Sequence, residues 1–244
     1  MHVLLKMTAA ALCSLAFSSI VQAMPVFDEF GPLDEATFGG DGIPNQNVAI
    51  SGGQGVTSGQ DIFTLTLGLT AHQRFFNPVL THDGAGTFTA GAGTSFSPGG
   101  VEGALWNFAF FVGVEGATIA DLVNDGYSFI LSFDFDPSDA VDAGTILLDG
   151  ATGSVVQGSQ NLLFSFLSDG IPGLVIPPLG SFDPNIGGLY SFSLTALNTS
   201  GNVQVNPVVA GIDVRVVAVP VPASLLLFGF GLLAAGAAFR RRQA

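Results

Sequence analysis

Cysteine is almost missing from this chain of 244 residues: Cys13 is the sole one. It lies inside an apolar run near the amino end, preceded by Ala10, Ala11 and Leu12, and the run continues past it to Val21. No small residue stands directly before it, which argues against a lipid-modified cysteine. The remaining chain has no thiol, so disulfides and thiolate metal sites are excluded and stability must come from packing. Lysine is equally scarce, with Lys6 alone, and Arg74 and Arg215 are the only lysine or arginine residues from Asp28 to Arg215. That stretch holds all 19 acids, which leaves it near −17. A surface of that sign repels phosphate backbones and excludes nucleic acid as a partner. It keeps a folded body soluble, and it attracts cations, basic proteins or neutral sugars that need acceptors.

Catalytic signatures are also lacking. Beyond His2 only His72 and His82 remain, and no Gly-x-Ser-x-Gly turn provides a nucleophile for either. The ten-residue spacing of His72 and His82 matches no metal motif. No glycine-rich loop follows a strand and opens a helix, so a nucleotide site is not expected. One acidic group stands out: Asp134, Asp136, Asp139 and Asp142, ending at Gly144. Pro137 bends the chain so that the later carboxylates return toward the earlier ones, and calcium is the ion such a set would take. The spacing is not that of an EF-hand, and a turn built from Asp, Pro and Ser is the plainer reading.

The two ends are apolar. Residues 1–23 have the parts of a secretory signal: Lys6, an apolar core over 7–20, and Val21-Gln22-Ala23, with cleavage expected after Ala23. Residues 221–239 contain no charge and only Ser224 as a polar member. As a helix they would reach about 28 Å, close to a bilayer's hydrocarbon thickness. Arg240, Arg241 and Arg242 follow at once, which places that end in the cytoplasm and everything before it outside.

The string Val219-Pro220-Val221-Pro222-Ala223-Ser224, the apolar stave and the three arginines resemble a PEP-CTERM sorting signal. Val221 stands where glutamate is typical, as in the Val-Pro-Leu-Pro-Ala variants of that signal. The resemblance implies processing by an exosortase near the prolines, after signal peptidase has acted at the other end. It also implies a Gram-negative host that often makes exopolysaccharide, with the chain held at the inner membrane, its body periplasmic, and then passed to the cell surface or beyond. The domain plan is therefore a signal peptide over 1–23, an extracytoplasmic body over 24–218 and a sorting signal over 219–244.

Within the body, period-two alternation predicts strands. Phe63, Leu65, Leu67 and Leu69 share one face; so do Trp106, Phe108, Phe110, Val112 and Val114; so do Tyr127, Phe129, Leu131, Phe133 and Phe135. Phe111 makes the opposite face of the second run apolar too, as in a central strand. Further strands are expected over 160–167, 190–197 and 212–219, with Asn198-Thr199-Ser200-Gly201 as a turn. Thr118 and Asp121 mark the start of a short helix over 118–123. The glycine-rich stretch 31–59 reads as the loosest part. The fold expected is all-β, an antiparallel β-sandwich of jelly-roll type. Trp106 belongs to its core before any sugar-binding face. The function expected is that of a non-catalytic surface or matrix protein associated with exopolysaccharide or biofilm. Its rivals are a calcium-dependent carbohydrate-binding or adhesive module and a secreted hydrolase.

Overall fold

The computed structural model describes residues 25–75, 78–138, 140–198 and 207–218. They form fourteen strands and two short helices. A five-stranded sheet runs in the order β1 (Glu29–Gly31), β2 (Val48–Val56), β3 (Ile62–Gln73), β8 (Trp106–Glu115) and β11 (Val155–Gln160). A seven-stranded sheet runs β12 (Val175–Ile176), β10 (Ala143–Leu147), β9 (Tyr127–Asp134), β13 (Gly188–Asn198), β14 (Val208–Val217), β5 (Thr87–Gly91) and β4 (Thr81–His82). A small ribbon pairs β6 (Thr94–Phe96) with β7 (Glu102–Ala104). Pairing is antiparallel except between β14 and β5, which run parallel, so the expectation of purely antiparallel sheets fails at that one seam.

Alternation explains how the two sheets meet. Phe63, Leu65, Leu67 and Leu69 from β3 join Trp106, Phe108, Phe110, Val112 and Val114 from β8 in one buried cluster. Phe129, Leu131 and Phe133 from β9, and Phe192 and Leu194 from β13, enter the same cluster from the other sheet. Because side chains alternate across a strand, each sheet contributes every second residue to this shared core. Ser51 Oγ also donates to the Val209 carbonyl at 2.7 Å, a direct bond between β2 and β14.

Strand β8 is buried on both faces. Ala109 and Phe111 pack outward into a second cluster with Leu33, Ala36, Phe38 and Val48. The segment before β2 therefore lies over the outer face of the sheet. Gln157 Oε1 fastens it by accepting from the amides of Thr37 (2.9 Å) and Phe38 (2.7 Å). The stretch expected to be loosest thus contains a nine-residue strand and a packed flap. Gly52, Gly53 and Gly55 lie in β2 and hide its alternation.

Helix α1 (Ile119–Asn124) starts as expected. Thr118 Oγ1 accepts from the Asp121 amide at 3.1 Å, and Asp121 Oδ2 accepts from the Thr118 amide at 2.9 Å, a reciprocal capping box. Residues 160–167 differ from expectation. The strand ends at Gln160, and Ser165–Asp169 form helix α2. Asn161 causes the break: its buried side chain donates to the carbonyls of Ala104 and Trp106 and accepts from the amides of Ala104 and Leu163. The side chain takes the place of a backbone ladder, so the main chain is free to turn. The expected turn at 198–201 lies mostly outside the described residues.

Candidate functional site

Four strands of the seven-stranded sheet bring their termini to one end. Ala143 is opposite Asp134, Gly188 is opposite Val216, and the Leu189 amide donates to the Pro137 carbonyl at 3.1 Å. The end of β9, the starts of β10 and β13, and the end of β14 are therefore neighbours. The predicted acidic group collects here, and its carboxylates face backbone amides. Asp134 is buried at 1% exposure. Its Oδ1 accepts from the amides of Asp136 (2.9 Å) and Asp142 (3.0 Å), and its Oδ2 from Ser191 at 3.5 Å. Burial outweighs these amides and pushes its pKa up. Asp136 Oδ1 accepts from the Ser138 amide at 2.8 Å, and hydrogen bonds from Ser138 pull its pKa down. Asp142 holds the amides of Leu179 and Gly180.

These bonds tie the loop after β9 to the loop before β13, which is turn-building work. Among the described residues no group of three or more His, Cys, Asp or Glu side chains is arranged to hold a metal. Asp139, the fourth member of the calcium expectation, lies outside those residues.

The same end is where the chain leaves the sheet. Strand β14 is flanked by β13 as far as Val216 and by β5 as far as Val217, whose carbonyl accepts from the Ala92 amide at 2.9 Å. Ala218 is the last described residue. Residues 218–242 match the family model described as the PEP-CTERM protein-sorting motif. The chain carries a PEP-CTERM sorting signal. That signal marks it as an exosortase substrate and implies an exported, surface-associated protein. No curated protein and no solved structure matches the chain. The sorting residues Val219, Pro220, Val221, Pro222, Ala223, Ser224, Arg240, Arg241 and Arg242, and the expected cleavage site at Ala23, lie outside the described residues. Among the described residues no helix is long and apolar enough to cross a membrane.

The folded body thus delivers its PEP-CTERM signal without a spacer, one residue after its last strand. Sequence reading found the signal but not its place beside the acidic turn, because that neighbourhood depends on strand register.

The two histidines are not brought together. His82 lies on β4 in the seven-stranded sheet, where its Nδ1 accepts from the Gly84 amide at 3.1 Å. His72 lies on β3 in the five-stranded sheet at 1% exposure. Its Nδ1 is 2.8 Å from the Gln73 carbonyl, so Nδ1 carries the proton and donates. Its Nε2, 2.8 Å from Ser159 Oγ, then accepts from that hydroxyl. Asn107 Nδ2 donates to Ser159 Oγ at 3.1 Å, and Asn161 Nδ2 donates to Asn107 Oδ1 at 2.7 Å. Burial lowers the His72 pKa and outweighs the opposing bond to Gln73. Sequence reading missed this chain of four side chains. The signal was present in Asn107, a polar residue beside Ala109 and Phe111 on the outer face of β8.

Proposed function

We propose that this protein is a non-catalytic cell-surface or matrix component that an exosortase releases or anchors, and that it associates with extracellular polysaccharide. The observation that carries the reading is the sorting signal placed directly after a folded β body. The two sheets around one core suit a sandwich-type module that resists unfolding outside the cell without disulfides. The dense negative charge, with no lysine after Lys6, suits a protein that must stay soluble while surrounded by neutral or cation-loaded polymer. Val219-Pro220-Val221-Pro222-Ala223 serves as the recognition string in this reading, with processing beside it.

The Ser159–His72 pair supports no hydrolase reading. Ser159 lies within a strand rather than on a strained turn, both ring nitrogens of His72 have partners, and the ring is sealed from solvent.

Expression with and without an exosortase tests the sorting step. With it, the body leaves the membrane fraction or changes anchor, shortened by the C-terminal segment. Without it, the full-length chain stays in the membrane. Full-length, membrane-held protein in both strains would refute sorting. The polysaccharide association is tested separately: the body co-purifies with extracellular polymer from producing cells, and equal recovery from a polymer-deficient strain would refute it.

A further inference from the structure

Strand β5 runs parallel to β14 with Gly91 beside Val217, so the chain after Gly91 leaves the sheet in the same direction as the chain after Val217. It enters the β6–β7 ribbon, whose tip exposes Phe96 (64%) and Val101. The Gly93 amide donates to the Pro184 carbonyl at 2.7 Å, which ties the foot of that ribbon to the loop before β13, where Ile186 is exposed. At the same end, around Asp142, Val141 is exposed and Leu179 fully so, at 100%. With Val217, six exposed apolar side chains thus surround the point where the chain leaves the fold.

Single exposed apolar residues are ordinary, but a group gathered on several loops is not. Leu179 is also held in place. Asp142 accepts from the amides of both Leu179 and Gly180. A Cβ at Gly144 would lie 2.6 Å from Pro178 Cδ, so the preceding proline packs on the start of β10. The loop is fixed on both sides of a side chain that touches nothing. Val56 and Ile62 are exposed at the opposite end, yet the last strand does not finish there.

We propose that this end of the body rests on the bilayer while the chain is anchored, with Phe96, Val101 and Leu179 dipping into its apolar interface. The inference rests on the reading of residues 221–239 as a membrane span. Three residue steps separate Ala218 from Val221, which hold the sheet end within roughly 10 Å of that span. Such a distance is comparable to one headgroup layer. The chain's own span therefore sets lipid, rather than another protein, against these loops. Glu102, Asp136 and Asp183 lie at the same end and oppose an anionic surface. The contact is thus apolar and suits zwitterionic headgroups.

Spin labels on the full-length chain in phosphatidylcholine nanodiscs, one chain per disc, test it, with Cys13→Ser removing the native thiol. Gly99→Cys carries the label at the ribbon tip, and Gly150→Cys carries it after β10, at the opposite end; both glycines have room for a side chain. The label at position 99 collides more with dissolved oxygen than with a water-soluble nickel chelate, as in lipid, and the label at position 150 does the reverse. Phe96→Ser combined with Val101→Ser lowers the docked-to-free ratio by roughly tenfold or more. Leu179→Ser acts in the same direction. A flexible insert of about six Gly and Ser residues after Ala218 keeps the label at position 99 in lipid, because the loops and not the tether hold it there. Phosphatidylglycerol in place of phosphatidylcholine weakens docking. An aqueous label at position 99 in a chain that has entered the disc overturns the docking alone. A chain that does not enter the disc removes the spanning reading and the docking with it. Docking is also overturned if the serine variants match the parent, if the insert frees the label, or if docking requires phosphatidylglycerol. A label shielded from both probes would mean a protein occupant and would overturn it too.

Discussion

Phe108 of the five-stranded sheet lies nearly flat on Phe192 of the seven-stranded sheet, with ring centroids 4.5 Å apart and planes 26° from parallel. Trp106 meets the edge of the same Phe192 ring at 5.9 Å and 82°. One side chain on β13 therefore joins two successive inward residues of β8. Phe192→Ala opens a cavity at the seam between the sheets and should cost about 3–5 kcal/mol. Phe192→Leu keeps much of the volume and should cost clearly less. Urea unfolding followed through Trp106 reads both; equal losses would mean that ring stacking, rather than filled volume, sets the stability here.

His72 gives stability a pH dependence of known sign. The folded protein holds the ring neutral, since burial lowers its pKa below the ordinary 6.5. The unfolded chain takes up a proton as pH falls through that value, while the folded chain does so only at lower pH. In that window the unfolded state binds more protons, so stability falls as pH drops below about 6.5 and is level above it. His72→Gln removes this slope. Unfolding free energies between pH 8 and 5 should show a smaller drop in the variant than in the parent; parallel curves would show that the His72 ring is not buried neutral.

Asp213 has the opposite sign. It is buried, and Ser191 Oγ donates to its Oδ1 at 2.7 Å. Burial raises its pKa, opposed by the Ser191 bond and by Arg215. A carboxyl raised in the folded state holds its proton more tightly there, so its contribution is complete below the unfolded value and lost as pH rises through the folded one. Asn at this position accepts the same hydroxyl bond without the buried charge. Asp213→Asn should therefore be as stable as the parent or more so at pH 7, with the gain shrinking as pH falls and the parent takes up its own proton. A large loss at pH 7 would mean that the charge is compensated in the fold.

Legibility in the sequence followed the range of the interactions. The inward rows of β3, β8 and β9 were readable because apolar residues alternate within one strand, and the capping box of α1 because Thr118 and Asp121 are three residues apart. Strand β2 was hidden, since three glycines erase the alternation and its partner β3 supplies the order. The run over 160–167 misled because Leu162, Phe164 and Phe166 also alternate, and only the long-range bonds of Asn161 to β7 and β8 show why the strand stops. His72 and Ser159 are 87 positions apart, and Arg74 meets Gly103 across two loops. Such pairs depend on sheet order, which local periodicity does not encode. Of the acidic group, the expected return of Asp142 toward Asp134 occurs, but through its amide rather than its carboxylate.

The spacing between body and sorting signal makes a last prediction. Strand β14 is paired on both edges up to Val216 and Val217, and the matched motif starts at residue 218. Pro220 follows three residues after Val217, and at about 3.5 Å per extended residue the motif's first proline lies within roughly 10 Å of the sheet end. A membrane enzyme that grips this string must work against a folded wall that includes the loops held by Asp134 and Asp142. Peeling the end of β14 away would break ladder bonds to both β13 and β5, which opposes access. A flexible insert of about six Gly and Ser residues after Ala218 adds roughly 14 Å of reach on average. In cells with an exosortase, the insert should raise the processed fraction at early times in a pulse-chase experiment, with the final yield unchanged. Replacing Asp142 by Ala frees the amides of Leu179 and Gly180, loosens the same wall, and should act in the same direction but more weakly. If the insert leaves the processing rate unchanged, the body does not obstruct the enzyme, and recognition must be confined to residues beyond the reach of the sheet.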